Sequence, residues 1–204
     1  RRAAAAYRQA GRSEAARRCR ALAHEAAGRP ERAAPLWEKL GETDRAVAAF
    51  AQAGAWIQAA RLERPHPEGR QILLPHLREM VAHGDWQQAA PLLAARMEVI
   101  RPYLPDVPWF VFEDEQRLVW QEYCLLESLM NNCEAQRAEH EGAWSRAARR
   151  WEQAGDRQRA AAAWKRRIET IRDPDRRARF LRTLQDWEPE SDPGETDAET
   201  ERAS

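Results

Sequence analysis

Small and large apolar side chains recur at fixed distances after glycine along most of this chain. Seven of the nine glycines are followed five residues later by alanine, as Gly41 is by Ala46. Four of these seven units also place a large aromatic residue nine positions after the glycine, at Trp37, Phe50, Trp151 and Trp164. In the other three units that position holds Leu93, Arg20 or Glu63. The pattern therefore describes one repeated unit with some degenerate copies.

This spacing predicts a turn followed by a short helix. Glycine can adopt the left-handed backbone conformation that ends a helix. Positions five and nine after the glycine are four residues apart, so they lie on one face of the next helix. The small alanine lets a neighbouring helix approach, and the aromatic side chain fills the space beyond it. Gly28, Gly41 and Gly54 are thirteen residues apart, which leaves room for a helix of about ten residues, or about 15 Å. Such short helices must stack on one another to be stable.

Two stretches interrupt the pattern. Residues 65–83 are rich in proline and predict a break followed by a short helix that begins near Pro75. The apolar, proline-flanked run at 105–115 predicts an irregular loop within the stack. From Glu113 to Glu141 the chain has neither glycine nor proline, which predicts one long helix with Leu118 on its apolar face.

The predicted fold class is all-α. Strand patterns are nearly absent, because β-branched residues are scarce and alanine is abundant. We expect a right-handed α-solenoid of short antiparallel helices with an irregular insertion and one long helix. Its expected regions are a first repeat array at 1–96 with the break at 65–83, an irregular segment and bracing helix at 97–141, a second array at 142–187, and a disordered acidic tail at 188–204.

The charges sum to zero but are unevenly distributed. The chain has 33 basic and 33 acidic residues, so no overall charge directs it to nucleic acid or to a membrane surface. Basic residues are in excess at 1–64 and 141–187, whereas acidic residues are in excess at 65–140 and 188–204. Local partners of either sign therefore stay open.

Cysteine usage and hydropathy favour a cytoplasmic protein. The three cysteines, Cys19, Cys124 and Cys133, show no CxxC pairing and are expected to be reduced, buried thiols. No apolar run approaches the roughly 20 residues that span a bilayer, so no membrane partner is expected. The chain opens inside a helical pattern without a methionine, and we expect it to be the C-terminal part of a larger protein.

Several units resemble the second-helix half of a tetratricopeptide repeat. "GETDRAVAAFAQA" has alanine five, an aromatic nine and Ala53 twelve residues after its glycine. "GDWQQAAPLLAAR" and "GAWSRAARRWEQA" look similar, with Trp86 and Trp144 two residues after the glycine. The resemblance covers about half of the chain, at 3–64, 84–96 and 142–167. It implies a TPR-like fold and a role in protein interaction.

The repeat period differs from that family. Tetratricopeptide repeats recur every 34 residues or so, whereas here thirteen-residue units follow one another directly. This arrangement is similar to the degenerate, Trp-rich helical repeats that are appended to large bacterial multidomain proteins. That resemblance implies a scaffolding or interaction region.

Two sets of residues are candidates for binding. Trp109, Phe110 and Phe112 lie in the proline-flanked run and are candidates for gripping a partner protein. The candidate basic surface consists of Arg149, Arg150, Lys165, Arg166, Arg167, Arg176 and Arg177. Arginine interleaved with tryptophan can bind phosphate backbones. The acidic stretch at 98–141 or the acidic tail is an equally good intramolecular partner for these arginines.

Catalytic and metal-binding patterns are lacking in the sequence. His76 and His83 are seven residues apart, too far to share an ion on one helix, and Glu139–Gly142 lacks the second histidine of HExxH. No P-loop, GxGxxG or GxSxG motif occurs. We therefore predict no enzymatic activity, no cofactor and no metal.

The predicted function is a non-enzymatic interaction or scaffold region that binds a partner protein or another domain of the same chain. Two alternatives stay open. The array could be the regulatory region of a signalling ATPase, helicase or protease encoded upstream, or its arginine-rich faces could contact nucleic acid. The oligomeric state is not indicated by the sequence.

Overall fold

The computed structural model describes residues 13–64, 72–105 and 113–187 of the 204-residue chain. Within these ranges the chain folds into ten α-helices and one short 3-10 helix, without a strand. The all-α prediction is confirmed for this part. Gly11, the loop at 106–112 with its candidate aromatic residues, and the acidic tail 188–204 lie outside the described residues.

The first four helices follow the thirteen-residue spacing of the glycines. They are α1 (Ser13–Ala26), α2 (Pro30–Glu38), α3 (Thr43–Gln52) and α4 (Trp56–Leu62). Each of the turns between them contains one of the predicted glycines, and each helix packs against the next. The predicted succession of short, stacked helices is therefore present at this end of the chain.

The remaining helices differ more in length. They are α5 (Leu73–His83), α6 (Trp86–Ile100), the 3-10 helix Arg101–Tyr103, α7 (Asp114–His140), α8 (Trp144–Ala154), α9 (Arg157–Glu169) and α10 (Pro174–Trp187). The long helix α7 has the predicted bounds, and a capping box between Glu113 and Gln116 begins it. Helix α5 begins two residues before Pro75, because proline is tolerated in the first turn.

The glycine turns have the predicted backbone conformation. All six described glycines of the repeat have positive φ, from 63° at Gly28 to 85° at Gly155. At Gly155 the amide of Asp156 donates to the carbonyl of Trp151 at 2.9 Å, and the glycine amide donates to Glu152 at 3.0 Å. This pair of bonds is a Schellman motif, which satisfies the last carbonyls of α8.

The alanine and aromatic positions pack as predicted, with one difference. The alanine five residues after each described glycine is buried, and so are Trp37, Trp151 and Leu93 at the ninth position. Phe50 and Trp164 at the same position are only half-buried. Trp164 lies on α9, and residues 174–183 of the following helix α10 are exposed.

A hydrogen bond that the sequence pattern did not suggest joins successive units. The indole nitrogen of Trp151 donates to Glu139 at 2.8 Å, and Trp164 donates to Glu152 at 2.8 Å. Trp37 donates to Glu25 in the same way at 2.5 Å. In all three cases the glutamate lies three residues before the glycine and twelve before the tryptophan. The ring is thus fixed to the preceding helix.

Arginines cover two of these rings from the following helix. The guanidinium of Arg45 lies 4.7 Å from the centre of the Trp37 ring, and that of Arg159 lies 4.8 Å from Trp151. Each arginine is eight residues after its tryptophan. The repeated unit therefore includes a glutamate, a tryptophan and an arginine as well as glycine and alanine.

Three clusters of buried side chains form the core. One lies among α1, α2 and α3, and the second lies among α4, α5, α6 and α7. The third lies among the end of α7, α8 and α9. Helix α7 belongs to two clusters, because it contributes Leu126 and Cys133 to the second and Ala135 and Ala138 to the third. It therefore takes part in the packing of both clusters.

Two predicted core positions on α7 are wrong. Cys124 is exposed, whereas Cys133 is buried. These two cysteines are nine residues apart, so they lie on opposite sides of the helix and only one can face the core. Leu118 is 45% exposed, since it is turned by about 100° from Val119, which shares the packed face with Leu126. In the described ranges, none of the helices has the length and apolar character that crossing a bilayer requires.

Candidate functional site

The predicted basic residues lie on three successive helices. Arg149 and Arg150 lie on α8, the next three on α9, and Arg176 and Arg177 on α10. Several already contact other groups. Arg166 lies over the Trp144 ring at 5.3 Å, and Arg177 donates to the carbonyl of Ile171 at 2.6 Å. The predicted set is therefore not one uniform surface, and only part of it converges.

An open depression brings two of the predicted arginines together with a third. It has a volume of about 470 Å³ and lies on the outer side of α8. The residues that line it are Ser145, Arg146, Arg149, Arg150 and Gln153. Most of these are three or four residues apart, the spacing that places side chains on one helix face. We call this surface the α8 depression. Arg146 was not among the predicted residues.

A second depression adjoins the first and shares Ser145 and Arg146 with it. It is formed where the turn before α8 meets the end of α9. Arg167 and Thr170 line its far side. The Nε of Arg167 donates to the hydroxyl of Ser145 at 3.0 Å, and its Nη1 donates to Thr170 at 2.7 Å. Arg167 is therefore held in a fixed position beside the α8 depression.

The three arginines of the α8 depression differ in their partners. Arg150 pairs with Glu134 of α7 at 2.7 Å and donates to Asn131 at 3.0 Å. Arg146 pairs with Glu141. Arg149 is exposed, and its side chain makes no ion pair or hydrogen bond with any residue that the structure describes. Among the described residues, one guanidinium of the depression is therefore left without a counter-charge.

The predicted intramolecular partner of these arginines is present in part. Glu134 and Glu141 belong to the acidic stretch at 98–141 and contact Arg150 and Arg146. Hydrogen bonding from Arg137 is the main cause that lowers the pKa of Glu141, with a smaller contribution from Arg146. The acidic stretch thus neutralises two arginines of the depression and leaves the third.

A buried cluster of three charged residues lies elsewhere, between the first array and the long helix. Arg96 of α6 is 1% exposed. Its Nε and Nη2 donate to Oε1 of Glu122 of α7 at 2.8 and 2.6 Å. Its Nη1 donates to the backbone carbonyl of Glu63, which directly follows α4. One guanidinium therefore joins three helical elements.

The two carboxylates of this cluster are unequally satisfied. Oε1 of Glu63 accepts from the amides of Ile72 and Leu73 at the start of α5, at 2.6 and 3.3 Å. Its Oε2 is buried 3.8 Å from Nε of Arg96 and has no hydrogen-bond partner among the described residues. Burial raises the pKa of Glu122, the Arg96 charge offsets part of that rise, and the charge of Glu63 adds to it. Two carboxylates thus share one buried cation.

The sequence did not indicate this cluster. Glu63 occupies the aromatic position of the unit that begins at Gly54, which the repeat pattern identifies as a degenerate copy. The other two residues are Arg96, at the end of a unit that resembles the repeat, and Glu122, inside the long helix. The indication in the sequence is an acidic residue at a position that holds a large apolar residue in five of the seven units.

The described cysteines and acidic residues do not converge on a reactive site. Burial raises the pKa of Cys133 to about 11 and also raises that of Cys124. Both thiols are therefore protonated at neutral pH and weak nucleophiles. The described part of the chain contains no group of three potential metal ligands.

The observations define a class of protein by its architecture. The described residues form an all-helical, repeat-like fold that carries the open, basic α8 depression and a buried ion cluster. Comparison with protein-family models, with curated proteins and with solved structures gives no significant match.

Proposed function

We propose that this chain is a non-enzymatic interaction or scaffold region that binds a partner protein or another domain of its own chain. The α8 depression is the observation that carries this proposal. Its lining consists of guanidinium, hydroxyl and amide groups, which can donate hydrogen bonds to anions. Glu122, the buried carboxylate beside Arg96, lies outside this depression.

We further propose that the helices form a right-handed, TPR-like solenoid located in the cytoplasm, of the kind appended to large bacterial multidomain proteins. The repetition of the glycine turn, the buried alanine and the Trp–Glu hydrogen bond supports this arrangement. Solenoids expose long helical surfaces that suit protein recognition. Under this proposal, the candidate anchors for a partner protein still include the aromatic residues Trp109, Phe110 and Phe112.

Nucleic acid is the second candidate partner, because arginines of α8 and α9 line adjoining depressions. Two features favour protein instead. Glu134 and Glu141 lie beside the arginines and would repel a phosphate backbone. Arg166 lies over one face of the nearby Trp144 ring, and the Trp151 ring is buried beneath Arg159, so these rings offer little surface for stacking bases. A regulatory role beside an ATPase, helicase or protease stays compatible with protein binding.

Affinity purification from the cells that express the protein tests the proposed function. We expect the tagged chain to retain a defined protein that a tag-only control does not retain, before and after nuclease treatment. Retention of nucleic acid alone, with every protein lost after nuclease, would contradict the proposal.

A further inference from the structure

We propose that the α8 depression binds an extended, acidic segment of the partner protein, with Arg149 as its principal anchor. This inference rests on the proposed function and specifies the chemistry of the partner. The segment would place carboxylates against Arg149 and against the unused donors of Arg146.

Helix α8 is held firmly on the side opposite the depression. Ala147, Ala148 and Trp151 are buried there, and the indole of Trp151 is fixed to Glu139 at 2.8 Å. Arg146 and Arg149 lie on the exposed side. The backbone that carries the arginines therefore needs no rearrangement to bind, which lowers the entropic cost of association.

The arginines around Arg149 are largely preorganised. Arg150 is oriented by Glu134, Asn131 and Gln153, at 2.7, 3.0 and 2.7 Å. Arg167 is oriented by Ser145 and Thr170. These interactions fix the walls of the depression and leave the guanidinium of Arg149 available. A charge-assisted bond between this group and a carboxylate is stronger than a neutral hydrogen bond and can be bidentate.

The spacing of the arginines suits an extended chain. Side chains three or four residues apart on a helix have Cβ atoms about 5–6 Å apart. In an extended segment, residues i and i+2 are about 6.7 Å apart and lie on the same side. Long, flexible arginine side chains bridge that small difference. The preferred partner therefore has acidic residues at alternate positions, opposite Arg146 and Arg149.

The charge balance favours carboxylates on a short peptide over a nucleic-acid strand. Glu134 and Glu141 already neutralise Arg150 and Arg146, so the excess positive charge in the depression is small. A segment with a few carboxylates matches that charge. A nucleic-acid strand carries a charge on every nucleotide and brings phosphates against Glu134 and Glu141, whereas a peptide with spaced carboxylates can place neutral residues beside these two glutamates.

Fluorescence anisotropy with a labelled ten-residue peptide of alternating glutamate and serine tests this proposal. The control peptide has glutamine in place of glutamate. We expect the wild-type chain to bind the acidic peptide at least about tenfold more tightly than the control peptide, with an affinity that falls as NaCl is raised. We expect Arg149→Glu to weaken the acidic complex at least about tenfold, and Arg149→Ala to weaken it less.

Arg32→Glu is the matched control variant. Arg32 is exposed on α2, and its side chain has no described partner, so the substitution changes the charge equally on a distant helix. We expect it to leave peptide affinity within about twofold of wild type, since charges beyond about 10 Å are screened at 0.1 M salt. Circular dichroism confirms that each variant keeps its helical content.

Three results would overturn the inference. The acidic peptide could fail to bind more tightly than the glutamine control peptide. Alternatively, Arg32→Glu could weaken peptide binding as much as Arg149→Glu does. A ten-nucleotide single strand could also bind more tightly than the peptide in an Arg149-dependent manner, which would assign the surface to nucleic acid. A partner protein retained in the purification experiment under any of these results would leave the proposed function standing while the inference fails.

Discussion

The indole nitrogen of Trp151 makes a hydrogen bond to a charged glutamate twelve residues earlier. The same bond forms at Trp164, where the ring is less buried. At the residue scale, comparing substitutions at these two tryptophans separates the stability that the hydrogen bond contributes from the stability that burial of the ring contributes. Phenylalanine keeps most of the ring and removes the donor.

We expect Trp151→Phe to lower the free energy of unfolding by about 1.5–3 kcal/mol, because it leaves Glu139 without its donor in a partly buried site. Trp151→Ala, which also removes the ring from the core, should cost about 3–5 kcal/mol. Trp164→Phe is the matched control and should cost less than Trp151→Phe, since its bond is exposed. Urea unfolding measures all three, and equal costs at the two tryptophans would contradict this account.

Arg96 is the only cation of the buried cluster formed with Glu63 and Glu122. We expect Arg96→Met to destabilise the fold by about 3–5 kcal/mol, because it leaves buried carboxylates without a counter-charge. Glu122→Gln keeps a hydrogen-bond acceptor for Arg96, and Glu63 remains as the counter-charge of the guanidinium. This substitution should therefore lower the free energy of unfolding by about 1 kcal/mol or less. Chemical unfolding compares them, and a Glu122→Gln variant as unstable as Arg96→Met would disprove the assigned roles.

The raised pKa of Glu122 also predicts a pH dependence. Because the pKa in the folded state is above the ordinary value of 4.5, the folded protein binds this proton more tightly than the unfolded chain. The resulting stability is fully present below pH 4.5 and is lost as the pH rises through the folded-state pKa. Each pKa unit by which the folded and unfolded states differ corresponds to about 1.4 kcal/mol in the free energy of unfolding.

Wild type should therefore lose stability relative to Glu122→Gln as the pH is raised from 4.5 towards neutrality. The variant cannot titrate at this position, so the difference between the two unfolding free energies isolates Glu122. Urea unfolding at a series of pH values measures it. A difference that stays constant or changes in the opposite direction would show that Glu122 has no raised pKa.

At the scale of the element, the glycine turn sets the length of each helix. Gly155 has φ of 85°, and a Cβ added there would meet no atom within 4 Å. We expect Gly155→Ala to cost about 1–2 kcal/mol from backbone strain alone. Gly155→Asn should cost less, because asparagine tolerates the left-handed conformation better. Thermal unfolding ranks the two variants, and an alanine variant as stable as wild type would contradict the proposed role of the turn.

The helices were predictable because their determinants are local. Glycine turns, buried alanines and the uninterrupted run of α7 depend on residues within a few positions of one another. The ion cluster was not predictable, because Glu63, Arg96 and Glu122 are 33 and 26 residues apart and meet only after packing. The sequence pattern likewise predicted Arg149 and Arg150 as members of a basic surface, but it did not indicate Arg146. Which arginines converge depends on the helix face that packing leaves exposed.

At the scale of the whole molecule, α7 connects two of the three buried clusters. The ion cluster lies where the first array meets this helix, and the α8 depression lies beyond its other end. Arg150 also contacts α7 through Glu134. The long helix therefore supports both the packing between the arrays and one wall of the proposed binding surface.

Site-specific photo-crosslinking tests the central claim most directly, because it reports which surface contacts the partner. A photoreactive benzoylphenylalanine replaces Gln153, which lines the α8 depression, or Gln58, an equally exposed glutamine on α4. After crosslinking in cells, we expect a defined acidic protein segment to be attached at position 153 and not at position 58, with loss of the adduct in Arg149→Glu. Crosslinks to protein at position 58 alone, or an adduct at position 153 that Arg149→Glu does not reduce, would contradict the account.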